Sequence, residues 1–305
     1  MKVIIAAAGT AGHINPGIAI ANKIKQENKK AEITFVGTTR GLENDLVPRA
    51  GYYLKTIEAY GINRKISFEN VKNMIRTLQG FKEAKKIVEE LKPDIVIGTG
   101  GYICGPVLMA ARKNKIPTIL HESNGYPGVS VKLLSKKSDA VLVGFKDAIN
   151  RLPKAKKVVV TGNPTKVKKI NLTNEQKEKI KQDLDIKNNL PIILAFGGSQ
   201  GAKSINTTLV DIINKKLNNN YQLIWACGKK QYDVIKEELE KNKISISNIE
   251  NTKIVPYIYN MEEIMNIADV IISRSGAMTI TEIAKLRQAS NIYSFSICNR
   301  ESSRI

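Results

Sequence analysis

Short apolar runs alternate with longer amphipathic segments along the chain, and this alternation constrains the fold more than any other feature. In the first half, "KVIIAAA", "AEITFVG", "DIVIGTG", "PTILHES", "DAVLVG" and "KVVVTG" read as buried strands. Between most of them lie helical patterns such as "NPGIAIANKIKQENKK" and "NVKNMIRTLQGFKEAKKIVEELK". Apolar runs with no polar alternation, each leading into a helix-period segment, predict a parallel sheet covered by helices on both faces.

From Thr161 to Leu190 the composition turns polar, which predicts an interdomain connection carrying a helix. The alternation then restarts with "PIILAFGGSQGAKSINTTLVDIINKK", "YQLIWACGKK", "TKIVPY" and "ADVIISRSGAMTITEIAKL". The expected architecture is α/β: two Rossmann-like domains, residues 1–161 and 162–305, whose parallel sheets face a cleft. A length of 305 residues suits two domains.

Forty-eight Lys and Arg against 28 Asp and Glu leave a net charge of +20, which suggests an anionic partner. Nucleic acid, an anionic bilayer surface or a phosphorylated substrate all qualify, and a lysine-rich proteome accounts for the charge equally well. Cys104, Cys227 and Cys298 are too few and too scattered for a disulfide framework or a zinc site, so a reducing cytosol fits. The run Val3 to Ala8 is short for a signal core, and no stretch approaches the roughly 20 apolar residues of a spanning helix. A membrane, if one matters, is expected to be bound at its surface.

Glycine breaks follow several strands. "AGTAGH" is not the G-x-G-x-x-G fingerprint, and "FVGTTRG" after the next strand offers no acid for a ribose, which argues against NAD. In "FGGSQGAKSIN", Gly197, Gly198 and Gly201 let backbone approach a ligand, and the following helix turns its N–H groups and positive end toward it. A tight strand-to-helix turn also needs glycine for steric reasons alone, so each loop taken singly fits a plain turn. A third break, "IGTGGYICGP", lies close before "LHESNGYPG", and the chain's only two histidines, His13 and His121, fall among these motifs.

The ordered set "GTAGH", "GTGGY.CGP", "HESN", "GNP", "GGSQGA" and "RSGAMTITE" resembles the MurG family of bacterial N-acetylglucosaminyltransferases, from Met1 to about Leu286. The resemblance implies a GT-B glycosyltransferase that moves GlcNAc from UDP-GlcNAc to the 4-hydroxyl of the muramyl sugar of lipid I, with inversion. It assigns the acceptor mainly to the first domain and the donor mainly to the second. It implies no cofactor and no nucleic acid. Thr10, Ala11, Gly12 and Asn124 would lie near the donor sugar, and Ser199 by the diphosphate. Ile258 would pack by the uracil. Ala277, Met278, Thr279, Ile280, Thr281 and Glu282 would wrap the nucleotide, with Glu282 on the ribose hydroxyls. Lys166 stands where the family commonly has arginine, keeping the charge without the bidentate fork. Gly100, Gly101 and Tyr102 are assigned to the acceptor.

The chemistry agrees with that assignment. UDP leaves as an anion, so its site needs backbone N–H groups or cations rather than an acid. No D-x-D metal motif is convincing: Asp183 and Asp185 fall in the lysine-rich connector and read as solvated helix surface, so no metal is expected. The attacking hydroxyl needs a base, and His13 is favoured over a mere loop-ordering role. Glu122 is the competing base, with a loop anchor as its alternative role. His121 completes an apolar strand and is expected to be structural.

Val71, Met74, Ile75, Leu78 and Phe81 fall at helical spacing among Lys72, Arg76, Lys82, Lys85 and Lys86. For Met74, Ile75, Leu78 and Phe81 the resemblance implies an exposed patch that docks on anionic lipid, whereas Ile87, Val88 and Leu91 are expected to face the core. After "TEIAKL" the family would continue with Gly-Lys-Pro, an apolar strand and a loop rich in Glu, Asn, His and Gln. This chain reads "RQASNIYSFSICNRESSRI" instead. Codons that encode this tail allow the family's segment when read one base out of register, so a frameshift and an incomplete second domain are expected. Two other readings remain open: a UDP-GlcNAc 2-epimerase of the same fold, and a non-catalytic chain that only binds.

Overall fold

The computed structural model describes residues 1–60, 68–186, 189–286 and 292–294, with side chains left out of account at 68–78 and 292–294. The chain divides into two compact units, residues 1–165 and 166–304, a few residues beyond the boundary expected from composition.

Among the described residues the first unit carries seven parallel strands: β1 (Lys2–Ala7), β2 (Glu32–Gly37), β3 (Tyr53–Thr56), β4 (Ile95–Gly100), β5 (Thr118–Glu122), β6 (Ala140–Val143) and β7 (Val158–Val160). Its helices are α1 (Ala11–Glu27), α2 (Glu43–Arg49), α3 (Phe68–Leu91), α4 (Cys104–Lys113) and α5 (Val129–Ser135). Strand order is β3-β2-β1-β4-β5-β6-β7, so the winding direction reverses between β1 and β4. Ligands of open α/β sheets bind at the carboxyl ends of the strands beside such a reversal. "GTAGH" follows β1 and "GGYICGP" follows β4, so two of the glycine breaks flank it. The edge strand β3 escapes the apolar-run pattern because Tyr53 is exposed and the strand is only four residues long.

Central strands are apolar on both faces because helices cover both: Val3 to Ala7 are each 2% exposed or less. On α3, Ala84 and Val88 are buried, with Phe81, Ile87 and Leu91 packed against the same core as Ile4, Ala6 and Val96.

The second unit opens with α6 (Asn174–Asp183), started by a capping box in which Thr173 and Gln176 each satisfy the other's backbone N–H. Then come β8 (Ile192–Phe196), α7 (Lys203–Asn214), β9 (Gln222–Ala226), α8 (Tyr232–Lys241), β10 (Thr252–Val255), α9 (Met261–Ile267), β11 (Val270–Ser273), α10 (Ala277–Leu286) and β12 (Ile292–Ser294). The parallel order β10-β9-β8-β11-β12 repeats the first unit's winding, with its reversal between β8 and β11. "GGSQGA" follows β8 and "RSGA" follows β11. Beside β11, Ile292 pairs with Ile271 and Ser294 with Ser273, so the polar tail supplies the strand that the fold wants there. Apart from that strand, the expected change of reading frame falls outside the described residues.

Candidate active site

His13 sits in the first turn of α1, after a turn that Gly9 makes at φ +92°. Its Nδ1 lies 3.1 Å from the carbonyl oxygen of Ala8, and its own carbonyl accepts a 2.8 Å bond from the Thr99 hydroxyl. A carbonyl oxygen only accepts, so Nδ1 carries the hydrogen and Nε2 keeps its lone pair. The imidazole is half-buried against the second glycine loop, where Gly100 and Gly101 have φ of +127° and +84°. A Cβ at Gly101 would stand 2.8 Å from the Ala8 oxygen. The loop is therefore glycine both for its turn and for the room the imidazole takes. Tyr102 packs against the core.

Cys104 holds that loop from below. Its thiol lies 3.3 Å from both the N–H and the carbonyl of Gly100, and 3.5 Å from the Ala6 carbonyl. Burial pushes this thiol up to about 12, so it is a structural hydrogen-bonding group rather than a nucleophile.

Glu122 is 4% exposed and its carboxylate accepts three hydrogen bonds from the following loop. Oε1 accepts from the Asn124 N–H at 2.8 Å and from Asn124 Nδ2 at 2.9 Å, and Oε2 accepts from the Gly128 N–H at 2.9 Å. This is the geometry of an anchor for the loop 122–128, and it sets the side chain of the exposed Asn124. His121 is buried, with Nε2 3.4 Å from the Gly162 carbonyl and Nδ1 3.5 Å from the Ser123 hydroxyl. Burial pulls its imidazole below the ordinary histidine value, opposed by the Gly162 carbonyl and the Glu122 charge.

Sequence reasoning passed over Glu43. It is fully buried at the start of α2 and binds the first glycine loop: Oε2 accepts from the Gly9 N–H at 2.9 Å. Oε1 accepts from the Thr38 N–H at 2.9 Å and the Thr38 hydroxyl at 2.7 Å. An acid in "RGLEND" looks like a solvated helix start, and only the fold shows that it is enclosed.

In the second unit the loop Gly197–Gly201 leads into α7. Gly198 and Gly201 take φ of +84° and +78°, and a Cβ at Gly198 would meet Arg274 Nη2 at 3.4 Å. Ser199 is half-buried in this turn. The loop is braced from behind: Trp225 Nε1 donates to Asn206 Oδ1 at 3.0 Å, and Asn206 Nδ2 donates to Gln231 Oε1 at 2.6 Å. Gln231 Nε2 donates in turn to the Gln200 carbonyl at 3.3 Å. Arg274 lies within "RSGAMTITE", where nothing in the sequence marks it for this turn. Its place after β11, beside the β8 loop, is what brings it to this turn.

Ala277 to Glu282 form the first turns of α10, where Thr281 donates back to the Ala277 carbonyl at 2.9 Å and Ile280 is 45% exposed. Ile258 is 6% exposed and belongs to the core of Leu194, Phe196 and Ile271. Lys166 is exposed, and desolvation by its surroundings pulls its ammonium below the usual lysine range against the pull of Glu262. Asp185 pairs with Lys253 at 3.1 Å, and among the described residues no cluster of three or more His, Cys, Asp or Glu could hold a metal ion.

The side chains of Met74, Ile75 and Leu78 lie outside the described residues. Phe81 has one face on the core and carries the Lys113 ammonium 5.0 Å from its ring centre. Among the described residues no helix is long and apolar enough to cross a membrane.

Residues 3–143 match the glycosyltransferase family 28 N-terminal domain, and residues 192–290 match its C-terminal domain. This chain belongs to glycosyltransferase family 28. Within the family it falls with MurG. It is 45% identical over 283 residues to the UDP-N-acetylglucosamine--N-acetylmuramyl-(pentapeptide) pyrophosphoryl-undecaprenol N-acetylglucosamine transferase of Ruminiclostridium cellulolyticum, covering 93% of this chain and 76% of that protein. The crystal structure of Acinetobacter baumannii MurG superposes with a TM-score of 0.56 at 28% identity, over 93% of this chain and 74% of that one. A UDP-GlcNAc 2-epimerase from Neisseria meningitidis, bound to UDP-GlcNAc, reaches a TM-score of 0.58 over 91% of this chain and 78% of that one. At 18% identity it shows only the shared GT-B fold.

Proposed function

We propose that this family 28 chain transfers GlcNAc from UDP-GlcNAc to the 4-hydroxyl of the muramyl sugar on an undecaprenyl diphosphate-linked acceptor, inverting the anomeric carbon. The observation that carries this reading is His13, an imidazole fixed at the β1/β4 reversal with Nε2 as its proton-accepting atom. The acceptor hydroxyl attacks the anomeric carbon as the bond from that carbon to the diphosphate oxygen breaks. The hydroxyl proton passes to His13 Nε2, and the electron pair leaves with UDP. The departing charge meets the N–H groups of the Gly197–Gly201 turn, the Ser199 hydroxyl and the Arg274 guanidinium, so no acid is needed to expel it.

The Thr10–Gly12 turn and Asn124 serve the donor sugar in this reading, and the Gly100–Tyr102 loop serves the acceptor. The start of α10 and Ile258 serve the nucleoside, and Lys166 adds a cation. The net charge of +20 supports docking on an anionic bilayer surface through the first half of α3. Serine at Ile75 and Leu78 would then weaken vesicle binding and spare activity on a soluble acceptor.

The test is UDP release with a short-chain lipid I analogue, the product's anomeric configuration being read by NMR. Transfer with inversion, lost in His13→Ala with an unchanged donor KM, supports the reading. Epimerised UDP-sugar without transfer, or full kcat in His13→Ala, overturns it.

A further inference from the structure

The Ala8 carbonyl that receives His13 Nδ1–H and the Gly9 N–H that Glu43 receives are two ends of one peptide group. We infer that Glu43 is a positioning residue for His13, acting through the Ala8–Gly9 peptide as a carboxylate–peptide–imidazole relay.

A fully buried carboxylate is costly to keep, and among the described residues no Lys or Arg pairs with Glu43. Its partners are the two Thr38 donors and Gly9, so its charge is turned on backbone rather than neutralised by a cation. A carboxylate on the N–H end of a peptide draws that bond's electrons toward the carbonyl, which becomes a stronger acceptor. The strengthened carbonyl holds Nδ1–H in place and stabilises the positive ring that forms when Nε2 takes a proton. The Gly100–Gly101 backbone confines the imidazole as well. Carboxylates that orient a histidine directly act in the same way. Here the peptide is inserted between them, and the carboxylate stays enclosed, away from the substrate.

This inference rests on His13 being the base, and the tests separate the two. Imidazole-nitrogen NMR on the full chain is tractable because there are only two histidines. His13 should show the Nδ1–H form, and His121, whose Nε2 faces a carbonyl, should show the opposite form as an internal reference. An Nε2–H form at His13 in the wild type overturns the relay.

Glu43→Gln should move His13 toward the Nε2–H form. It should also lower kcat on the order of tenfold to hundredfold at unchanged donor KM, the usual cost of an outer partner. Glu43→Asp, which keeps the charge but withdraws it by one methylene, should fall between and serves if Glu43→Gln does not fold. In a His13→Ala background Glu43→Gln should cost nothing further. An equal loss there overturns the relay, whereas full kcat in His13→Ala itself overturns the reading of the base.

Discussion

The imidazole of His13 and the backbone of Gly100 occupy adjoining space: a Cβ built on that glycine would stand 2.9 Å from the ring Cγ and 3.0 Å from Nε2. Gly100 also has φ +127°, which side chains rarely adopt. Gly100→Ala is therefore expected to displace the base while the sheet stays intact. A displacement of about 1 Å costs on the order of a hundredfold in kcat, and the backbone strain costs about 1–3 kcal/mol. Gly105, inside α4, is the control because nothing lies within 4 Å of its Cβ position. Steady-state kinetics and melting curves of Gly100→Ala and Gly105→Ala check this. Equal kcat values would show that the ring does not need its place.

Ser199→Ala is expected to weaken UDP binding by about 1–3 kcal/mol, the cost of losing a hydrogen bond to a charged group. Uridine, which has no phosphate, should bind both proteins alike. Calorimetry with the two ligands separates a phosphate contact from a general loosening of the loop. A matching loss for uridine would move Ser199 away from the diphosphate.

Glu122→Gln replaces a buried acceptor of three hydrogen bonds with an amide that can receive only part of them. Stability should fall by about 1–3 kcal/mol, and the shape of the pH–kcat/KM profile should survive. Denaturant unfolding gives the first quantity and the pH profile the second. Disappearance of the acid limb would make Glu122 the base and His13 its support.

The sheet strands and switch-point loops were legible because both follow from local pattern: buried runs need two covered faces, and glycine suits loop positions as far into positive φ as Gly9 at +92° and Gly100 at +127°. The base candidate was legible because a histidine beside two glycines is conspicuous. Glu43, Arg274 and the Asn206–Gln231 brace were not. Each acts through a contact distant in sequence, and an acid or amide at a helix start looks the same whether enclosed or solvated.

His121 gives the fold a pH dependence whose direction follows from its burial. Its folded-state value lies below the ordinary 6.5, so above 6.5 the ring is neutral in both folded and unfolded chains and contributes no slope. As pH falls through 6.5 the unfolded chain takes up a proton that the folded one refuses. Stability from this group is therefore lost downward from 6.5 until the folded value is reached. His121→Gln, which keeps an amide donor for the Gly162 carbonyl and cannot titrate, should remove that slope. Unfolding free energies of the two proteins, measured at several pH values on either side of 6.5, should show the wild type losing ground to the variant only on the acid side. A constant difference across that range would mean that His121 takes up its proton inside the folded sheet as readily as outside it.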